Sequence, residues 1–249
     1  MIKHNSNNPN YRPELDGLRG VAVLAVILGH ALPDLFPNGF LGVDIFFVIS
    51  GYVITQSLIA RKEDSLASYL LNFYRRRIKR LMPALYVYVT VMILLTYLFH
   101  PPGLYRTTTF IKTGFTSLFG ISNIYLSKIS SDYFASSTKL NPFTHTWSLA
   151  VEEQFYFIFP IIVWFFFIRK NKKSKILFIS ILLFLGLMSI SSILLFIKHI
   201  PIEIYYLSPF RFWEITAGTL IFLIQDTAFI SKNPIIKWAS KISVSTIFI

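Results

Sequence analysis

Residues 39–59 read GFLGVDIFFVISGYVITQSLI, a stretch with one charged side chain, Asp44. About 20 predominantly apolar residues in a helix are enough to cross the hydrocarbon core of a bilayer. The stretch therefore predicts a transmembrane helix. A carboxylate is a costly component of such a helix unless it faces a partner or a cavity.

Comparable apolar stretches recur on both sides of this one. Hydropathy predicts six complete spans, at residues 16–32, 39–59, 82–99, 147–168, 176–197 and 209–224. Residues 234–249 predict a partial seventh span, within which the sequence ends. The expected fold is all-α, a polytopic transmembrane helix bundle that forms one domain over residues 1–249.

The composition excludes several other classes of protein. Of the 249 residues, 54% are hydrophobic and only 14% are charged, whereas soluble domains are about one quarter charged. An ordinary cytosolic enzyme, a disordered chain and a secreted disulfide scaffold are therefore not expected. The absence of cysteine excludes disulfides and thiolate metal sites, and no metal site is predicted.

The net charge of +12 is concentrated in blocks beside the apolar stretches, at residues 61–62, 75–80 and 169–175. Basic residues that flank spans are typical of the cytoplasmic side of a membrane protein. We therefore predict a multi-pass protein of the plasma (inner) membrane with a cytoplasmic N-terminus. Nucleic acid is not an expected partner.

Residues 107–126 are the ambiguous segment. They are partly apolar but contain Lys112 and many Ser and Thr residues. If this segment crossed the membrane, the basic block at 169–175 would lie outside, against the positive-inside rule. We therefore predict a non-spanning or re-entrant segment here.

Ionisable residues within the spans are candidate functional residues, because a charge in the membrane is costly without a partner. They are Arg19, His30, Asp44, Glu152, Glu153, Arg211 and Glu214.

Arg19 and His30 share one face of the first predicted helix, since eleven residues correspond to about three full turns. A fixed positive charge at one level and a group that titrates near neutrality at another suit an anionic substrate and a proton transfer. The structural alternative is an arginine that reaches the interface and a histidine bonded to a neighbouring carbonyl.

Asp44 needs a cationic partner, which either Arg19 or Arg211 would supply. Arg211 and Glu214 lie three residues apart and are able to pair with each other. The glycines around Asp44 also permit close helix packing without any catalytic role.

Arg77 and Arg80 lie three residues apart in a basic stretch before the third span. Two guanidinium groups on one helix face are suited to bind phosphates. The alternatives are a topology signal or a contact with anionic lipids.

Glu152 and Glu153 enter the fourth span as adjacent carboxylates, a pattern that apolar packing does not explain. Adjacent helical residues point about 100° apart, so at most one is expected to face a given cavity. A carboxylate near His30 would orient the imidazole. The alternative is a helix start, where acidic residues are favourable.

Five strings follow one another at suitable gaps: YRPELDGLRG at 11–20, GFLGVDIFFVISGYVIT at 39–55, FYRRRIKRLMP at 73–83, HTWSLAVEEQFY at 145–156 and PFRFWEITAG at 209–218. Together they resemble the bacterial integral-membrane acyltransferase-3 family. This family includes O-acetyltransferases of lipopolysaccharide O-antigen, peptidoglycan and other glycans.

The resemblance implies a role for each candidate. His30 would be catalytic, supported by Glu153, Glu152 and Asp44, while Arg19, Arg77 and Arg80 would bind the acyl donor. Trp147, Ser148, Arg211 and Glu214 would contact substrate.

The expected reaction is transfer of an acyl group, in the first instance acetyl, from acyl-CoA to a hydroxyl of a cell-envelope glycan. Acyl-CoA would be a co-substrate, with no permanently bound cofactor. The expected partners are the lipid bilayer and a glycan or lipid-linked sugar. Because CoA is cytoplasmic and His30 lies at the far end of its span, either the pantetheine arm enters the membrane or the acyl group is relayed.

Two other functions remain open from the sequence. Intramembrane charges also occur along the substrate paths of transporters, so a carrier of a small anion or sugar is one alternative. Family members usually have more spans than this chain, so an inactive remnant, incomplete at its C-terminus, is the other.

Overall fold

The computed structural model describes residues 12–61, 63, 65–100, 105–130, 140–168 and 172–226, and within these ranges the chain is helical without strands. The predicted partial span at 234–249, and part of the basic block at 169–175, lie outside the described residues. The α-helices are α1 (Pro13–Ala31), α2 (Leu41–Ile59), α3 (Leu66–Phe99), α4 (Tyr105–Leu118), α5 (Ser122–Ser130), α6 (Thr146–Val163), α7 (Lys172–Phe196), α8 (Pro201–Tyr206) and α9 (Phe212–Asp226).

Four helices are long and apolar enough to cross a membrane: α2, α3, α6 with its continuation to Phe166, and α7. α1 has 19 residues but carries Glu14, Asp16 and Arg19 in its first half. α9 is apolar but has only 15 residues. The all-helical transmembrane bundle is confirmed, and crossing by all six predicted spans stays a prediction.

The third predicted span is the second half of a longer helix. α3 continues for 34 residues and includes the basic stretch that precedes residue 82. Ser65 caps its beginning by accepting a hydrogen bond from the backbone N–H of Ser68 at 3.2 Å. Arginine, lysine and leucine all favour helix, so the basic stretch needs no break from the apolar part.

Residues 105–130 form two short helices rather than one span. α4 and α5 have 14 and 9 residues, or about 21 and 14 Å at 1.5 Å per residue. Both are shorter than the hydrocarbon core, which is about 30 Å thick. Gly120 separates them in a left-handed backbone conformation (φ 65°) that glycine adopts without strain. Neither helix alone is long enough to cross, which agrees with the predicted non-spanning segment.

α2 and α9 cross at backbone contact. A Cβ atom on Gly51 of α2 would collide with the carbonyl oxygen of Ile215, and one on Gly218 of α9 with that of Val48. Small residues allow such close approach between membrane helices. The crossing fixes the beginning of α9 against α2, and Asp44 and Arg211 both lie in this region.

α1 and α2 run antiparallel, so the contacts between them show which residues lie at the same level along the bundle. Gly39 packs against Gly29, and Gly42 packs against the carbonyl of Ala22. His30 and the beginning of α2 therefore lie at one end of the bundle, called here the His30 end. The opposite end is the one where α1 and α3 begin.

Candidate functional site

His30 lies in the last turn of α1 and is exposed in the described chain. Its Nδ1 lies 2.8 Å from the carbonyl oxygen of Val26, one turn earlier on the same helix. A carbonyl oxygen only accepts, so Nδ1 carries the hydrogen and the lone pair of the neutral ring is on Nε2. The backbone thus orients the imidazole, which is the carbonyl-bonded alternative noted above. The carboxylates of Glu152 and Glu153 have other partners.

A second imidazole lies near the first. His145, in the turn before α6, packs edge-to-face on the ring of Tyr88, with centroids 5.2 Å apart. Burial lowers the pKa of His145, and the charge of His30 lowers it further. His145 therefore lies within reach of the charge of His30, although sequence reasoning did not single out His145.

Arg77 joins α3 to both adjacent carboxylates of α6. Its Nε donates to Oε1 of Glu153 at 2.8 Å, and its Nη2 lies 3.6 Å from Oε2 of Glu152. The guanidinium also lies over the ring of Tyr156, 3.7 Å from its centroid. The long arginine side chain thus reaches both of these adjacent carboxylates.

Glu152 is the buried member of this group. Its Oε1 accepts a hydrogen bond of 2.5 Å from the Ser50 hydroxyl of α2. The charge of Arg19 on α1 also reaches Glu152. Arg77, Glu152, Glu153, Ser50 and Tyr156 are called the Arg77 cluster below. It joins α2, α3 and α6.

The interpretation of the two acidic residues as a favourable helix start is wrong. α6 begins at Thr146, and its first turn contains no acidic residue. Glu152 and Glu153 therefore lie in the second turn and beyond, where the helix dipole contributes little. Their position is explained by Arg77 and Ser50 instead.

Arg19 and Arg80 complete the predicted donor-binding residues. Arg19 lies 3.4 Å from Asp16 through Nη1, and its buried Nε has no hydrogen-bond partner. Arg80 is exposed on α3. The arginine pair predicted from its spacing is thus divided, since Arg77 is bound to carboxylates and Arg80 faces outward.

Arg211 holds two carboxylates through one nitrogen. Its Nη1 donates to Oδ1 of Asp44 at 3.0 Å and to Oε1 of Glu214 at 2.8 Å. The guanidinium lies 5.5 Å from the Trp147 ring and 5.0 Å from the Tyr205 ring. Of the two partners considered for Asp44, the structure selects Arg211. Asp44, Arg211 and Glu214 are called the Arg211 triad below.

Trp147 and Ser148 occupy the beginning of α6. Trp147 is buried and contacts the rings of Phe47, Tyr205 and Tyr206. The Ser148 hydroxyl donates to the carbonyl of His145 at 3.2 Å. Trp147 therefore supports the Arg211 triad as part of the aromatic core.

Three functional candidates were missed by sequence reasoning: Ser50, Tyr156 and His145. The available signal for Ser50 was a hydroxyl within a strongly apolar stretch, six residues after Asp44. Tyr156 and His145 flank the acidic pair in the same string. Among the described residues, no group of three or more His, Asp or Glu side chains is placed to hold a metal ion.

The model of the acyltransferase domain family matches residues 12–248. The chain belongs to this family. This confirms the resemblance, and the matched region contains every candidate residue described above.

Two relatives agree with this assignment. The chain is 36% identical over 228 residues to the O-acetyltransferase OatA of Staphylococcus aureus (strain NCTC 8325 / PS 47). It is 35% identical over 235 residues to the peptidoglycan O-acetyltransferase OatA of Listeria monocytogenes. These alignments cover 91% and 93% of this chain but only 37% and 36% of the relatives. The chain thus spans just over a third of their length. No solved structure matches the chain.

Proposed function

We propose that this chain is the membrane part of an O-acetyltransferase that moves an acetyl group from acyl-CoA to a hydroxyl of a cell-envelope glycan. Family membership supports acyl transfer. The name of the Listeria relative supports peptidoglycan as the glycan.

The orientation of His30 is the observation that carries the proposal. With Nδ1–H bonded to the carbonyl of Val26, Nε2 is free to accept the proton of the acceptor hydroxyl. The hydroxyl oxygen attacks the thioester carbonyl, the new ester C–O bond forms and the C–S bond breaks. The sulfur leaves as a thiolate and takes up one proton to become the CoA thiol.

The three arginines have different roles, two in binding the donor and one in positioning helices. Arg80, exposed on α3, contacts the phosphates of the donor. Arg19 directs its unpaired Nε toward the donor deeper in the bundle. Arg77 positions α3 against α6 through the two carboxylates rather than binding phosphate itself.

The basic stretch at the beginning of α3 sets the orientation in the membrane. Arg75, Arg76 and Arg80 lie in the first half of α3, and the positive-inside rule assigns such residues to the cytoplasm. The N-terminus is then cytoplasmic, and His30 faces the side where the envelope glycan lies.

His30→Ala tests this function. Membranes that contain the full-length protein are incubated with radiolabelled acetyl-CoA, and label in the glycan is counted. We expect His30→Ala to lower transfer at least ~100-fold, because a general base contributes about that much. His199→Gln, which changes an exposed histidine outside the site, is the matched control.

Full transfer by a His30→Ala variant that inserts normally would refute the assignment of His30. Uptake of labelled sugar without any acetyl transfer by the wild-type protein would favour the transporter instead.

A further inference from the structure

The Arg211 triad contains more negative than positive charge. One nitrogen of Arg211 binds both Asp44 and Glu214, at 3.0 and 2.8 Å. Among the described residues, Asp44 and Glu214 form ion pairs with Arg211 and with no other cation. With both carboxyls ionised, the triad would carry one uncompensated negative charge within the bundle, which is costly in a low dielectric.

The contacts of Glu214 indicate how this charge is removed. Its side chain is 0% exposed, and its buried Oε2 receives no hydrogen bond. Asp44 Oδ1 and Glu214 Oε1 bind the same nitrogen of Arg211, so the two carboxyls lie side by side. A proton on Glu214 removes both the excess negative charge and the repulsion between two neighbouring carboxylates.

We propose that the Arg211 triad is a proton-binding site in which Glu214 carries the proton and donates it to an ionised Asp44. The triad is then neutral as a whole. Asp44 is the ionised member because its side chain is 24% exposed, whereas a charge on the fully buried Glu214 would lack solvation. The proton enters and leaves through Asp44.

Arg211 is held in place independently of the two carboxyls. Its Nε donates to the backbone carbonyl of Tyr205 at 3.1 Å. The rings of Trp147 and Tyr205 lie beside its guanidinium. The positive charge is therefore fixed, and a proton is the charge that remains free to move.

The position of the triad suggests what the proton does. Gly42, two residues before Asp44, packs against Ala22, eight residues or about 12 Å along α1 from His30. Arg19 lies about 5 Å beyond Ala22 in the other direction. Asp44 lies two residues further along the antiparallel α2, at about the level of Gly20, so the triad lies at the level of the proposed donor residue Arg19.

This role rests on the proposed function. Transfer of an acetyl group releases one proton from the acceptor hydroxyl and consumes one at the CoA sulfur. The oxygen and the sulfur are both bonded to the acetyl carbon during transfer, so the thiolate forms at the His30 end and passes the triad as CoA withdraws. Glu214 gives its proton to the departing thiolate, and the proton that His30 has taken from the hydroxyl restores Glu214.

The proton is tested directly by infrared spectroscopy of the full-length protein in nanodiscs at neutral pH. The wild-type protein should show the carbonyl stretch of a protonated carboxyl, and Glu214→Gln should abolish it. Asp44→Asn should abolish it as well, because Glu214 then ionises to balance Arg211. Glu14→Gln, at an exposed position of α1, should leave the band unchanged. A band that persists in Glu214→Gln overturns the proposal.

The role in transfer is tested separately with the same variants. Glutamine keeps the shape of a protonated Glu214, accepting from Arg211 and donating to Asp44, but holds no exchangeable acid. We expect Glu214→Gln to lower kcat about 100-fold with KM for acetyl-CoA unchanged, and Glu214→Asp to restore part of it. Full kcat in Glu214→Gln overturns the role in transfer. The infrared band is measured whether or not the wild-type protein transfers acetyl groups, so failure of the proposed function is distinguishable.

Discussion

The Arg77 cluster and the Arg211 triad both place one arginine between two carboxylates, yet they differ in charge balance. Glu152 and Glu153 have Arg77 in contact, the charge of Arg19 nearby and the Ser50 hydroxyl as a donor. Within the described part of the chain, Arg211 is the one cation that pairs with Asp44 and Glu214.

This difference separates a structural cluster from a site suited to move a proton. In the Arg77 cluster the contacting arginine is assisted by a hydroxyl donor and by the charge of Arg19, which is itself paired with Asp16. In the Arg211 triad a proton has to make up the missing charge. Counting charges over all the helices that meet, rather than within one sequence string, is what distinguishes the two sites.

The largest difference in stability between the two sites is expected when their arginines are removed. Arg77→Ala leaves the buried Glu152 without its contacting cation, and we expect a loss of about 3–5 kcal/mol in the free energy of unfolding. Arg211→Ala should cost less, because Glu214 is already neutral and the partly exposed Asp44 is able to take up a proton. Both are measured by denaturation in detergent micelles, with Arg80→Ala at an exposed position as control. Equal losses of unfolding free energy in Arg77→Ala and Arg211→Ala would contradict the proposed difference in charge balance between the two sites.

A smaller effect is expected at the crossing that carries the triad. A Cβ atom at position 218 would meet the backbone carbonyl of Val48, and overpacking of this kind costs about 3 kcal/mol. Gly218→Ala should also displace Arg211 from Asp44 and lower transfer, while the Arg77 cluster stays intact. Gly20→Ala, where a Cβ meets nothing within 4 Å, should not destabilise the protein. A melting temperature of Gly218→Ala equal to that of the wild-type protein would show that α2 and α9 move apart without a loss of stability.

Ser50→Ala tests how much the Ser50 hydroxyl stabilises the Arg77 cluster. It removes the 2.5 Å hydrogen bond to the buried Glu152, and a lost donor to a buried charged group costs about 2 kcal/mol. Ser148→Ala is the matched control, because that hydroxyl bonds only a backbone carbonyl in the turn before its helix. The melting temperatures of the two variants are compared in the same detergent. A similar small shift in both would mean that Ser50 does not stabilise the carboxylate.

The smallest effect concerns pH. The pKa of His145 is lowered from its ordinary value of 6.5 by burial and by His30, so the unfolded chain binds a proton there more readily than the folded one. The stability that the neutral ring contributes is therefore present above pH 6.5 and is lost as the pH falls below it. His145→Gln should flatten this part of the profile of melting temperature against pH. An unchanged slope in His145→Gln would assign the effect to other groups.

The sequence predicts the helices well because hydropathy is a local property. Residues 39–59 predict α2, and the positive-inside rule applied to the basic block at 169–175 predicts that residues 107–126 do not span. The sequence offers two arginines, Arg19 and Arg211, as partners of Asp44 but does not distinguish between them. That choice depends on the backbone crossing at Gly51 and Gly218, a contact between residues more than 160 positions apart that periodicity does not encode.

The site was predicted only in part, for the same reason. Most of the candidate residues have partners on neighbouring helices, but the partners of His30 and of the acidic pair differ from those expected. The imidazole of His30 is oriented by its own helix through Val26, and the acidic pair is bound by Arg77. Side-chain partners across helices are set by packing, which a single sequence specifies only indirectly.

The separation of Asp44 and Arg211 by 167 positions has a consequence for biosynthesis. When α2 leaves the ribosome, the arginine that will bind its carboxylate has not yet been made. Asp44 has to remain protonated in the lipid or sheltered in the insertion machinery until α9 arrives. The triad is thus among the last contacts to form, and its assembly marks the point at which the described helices reach their final arrangement.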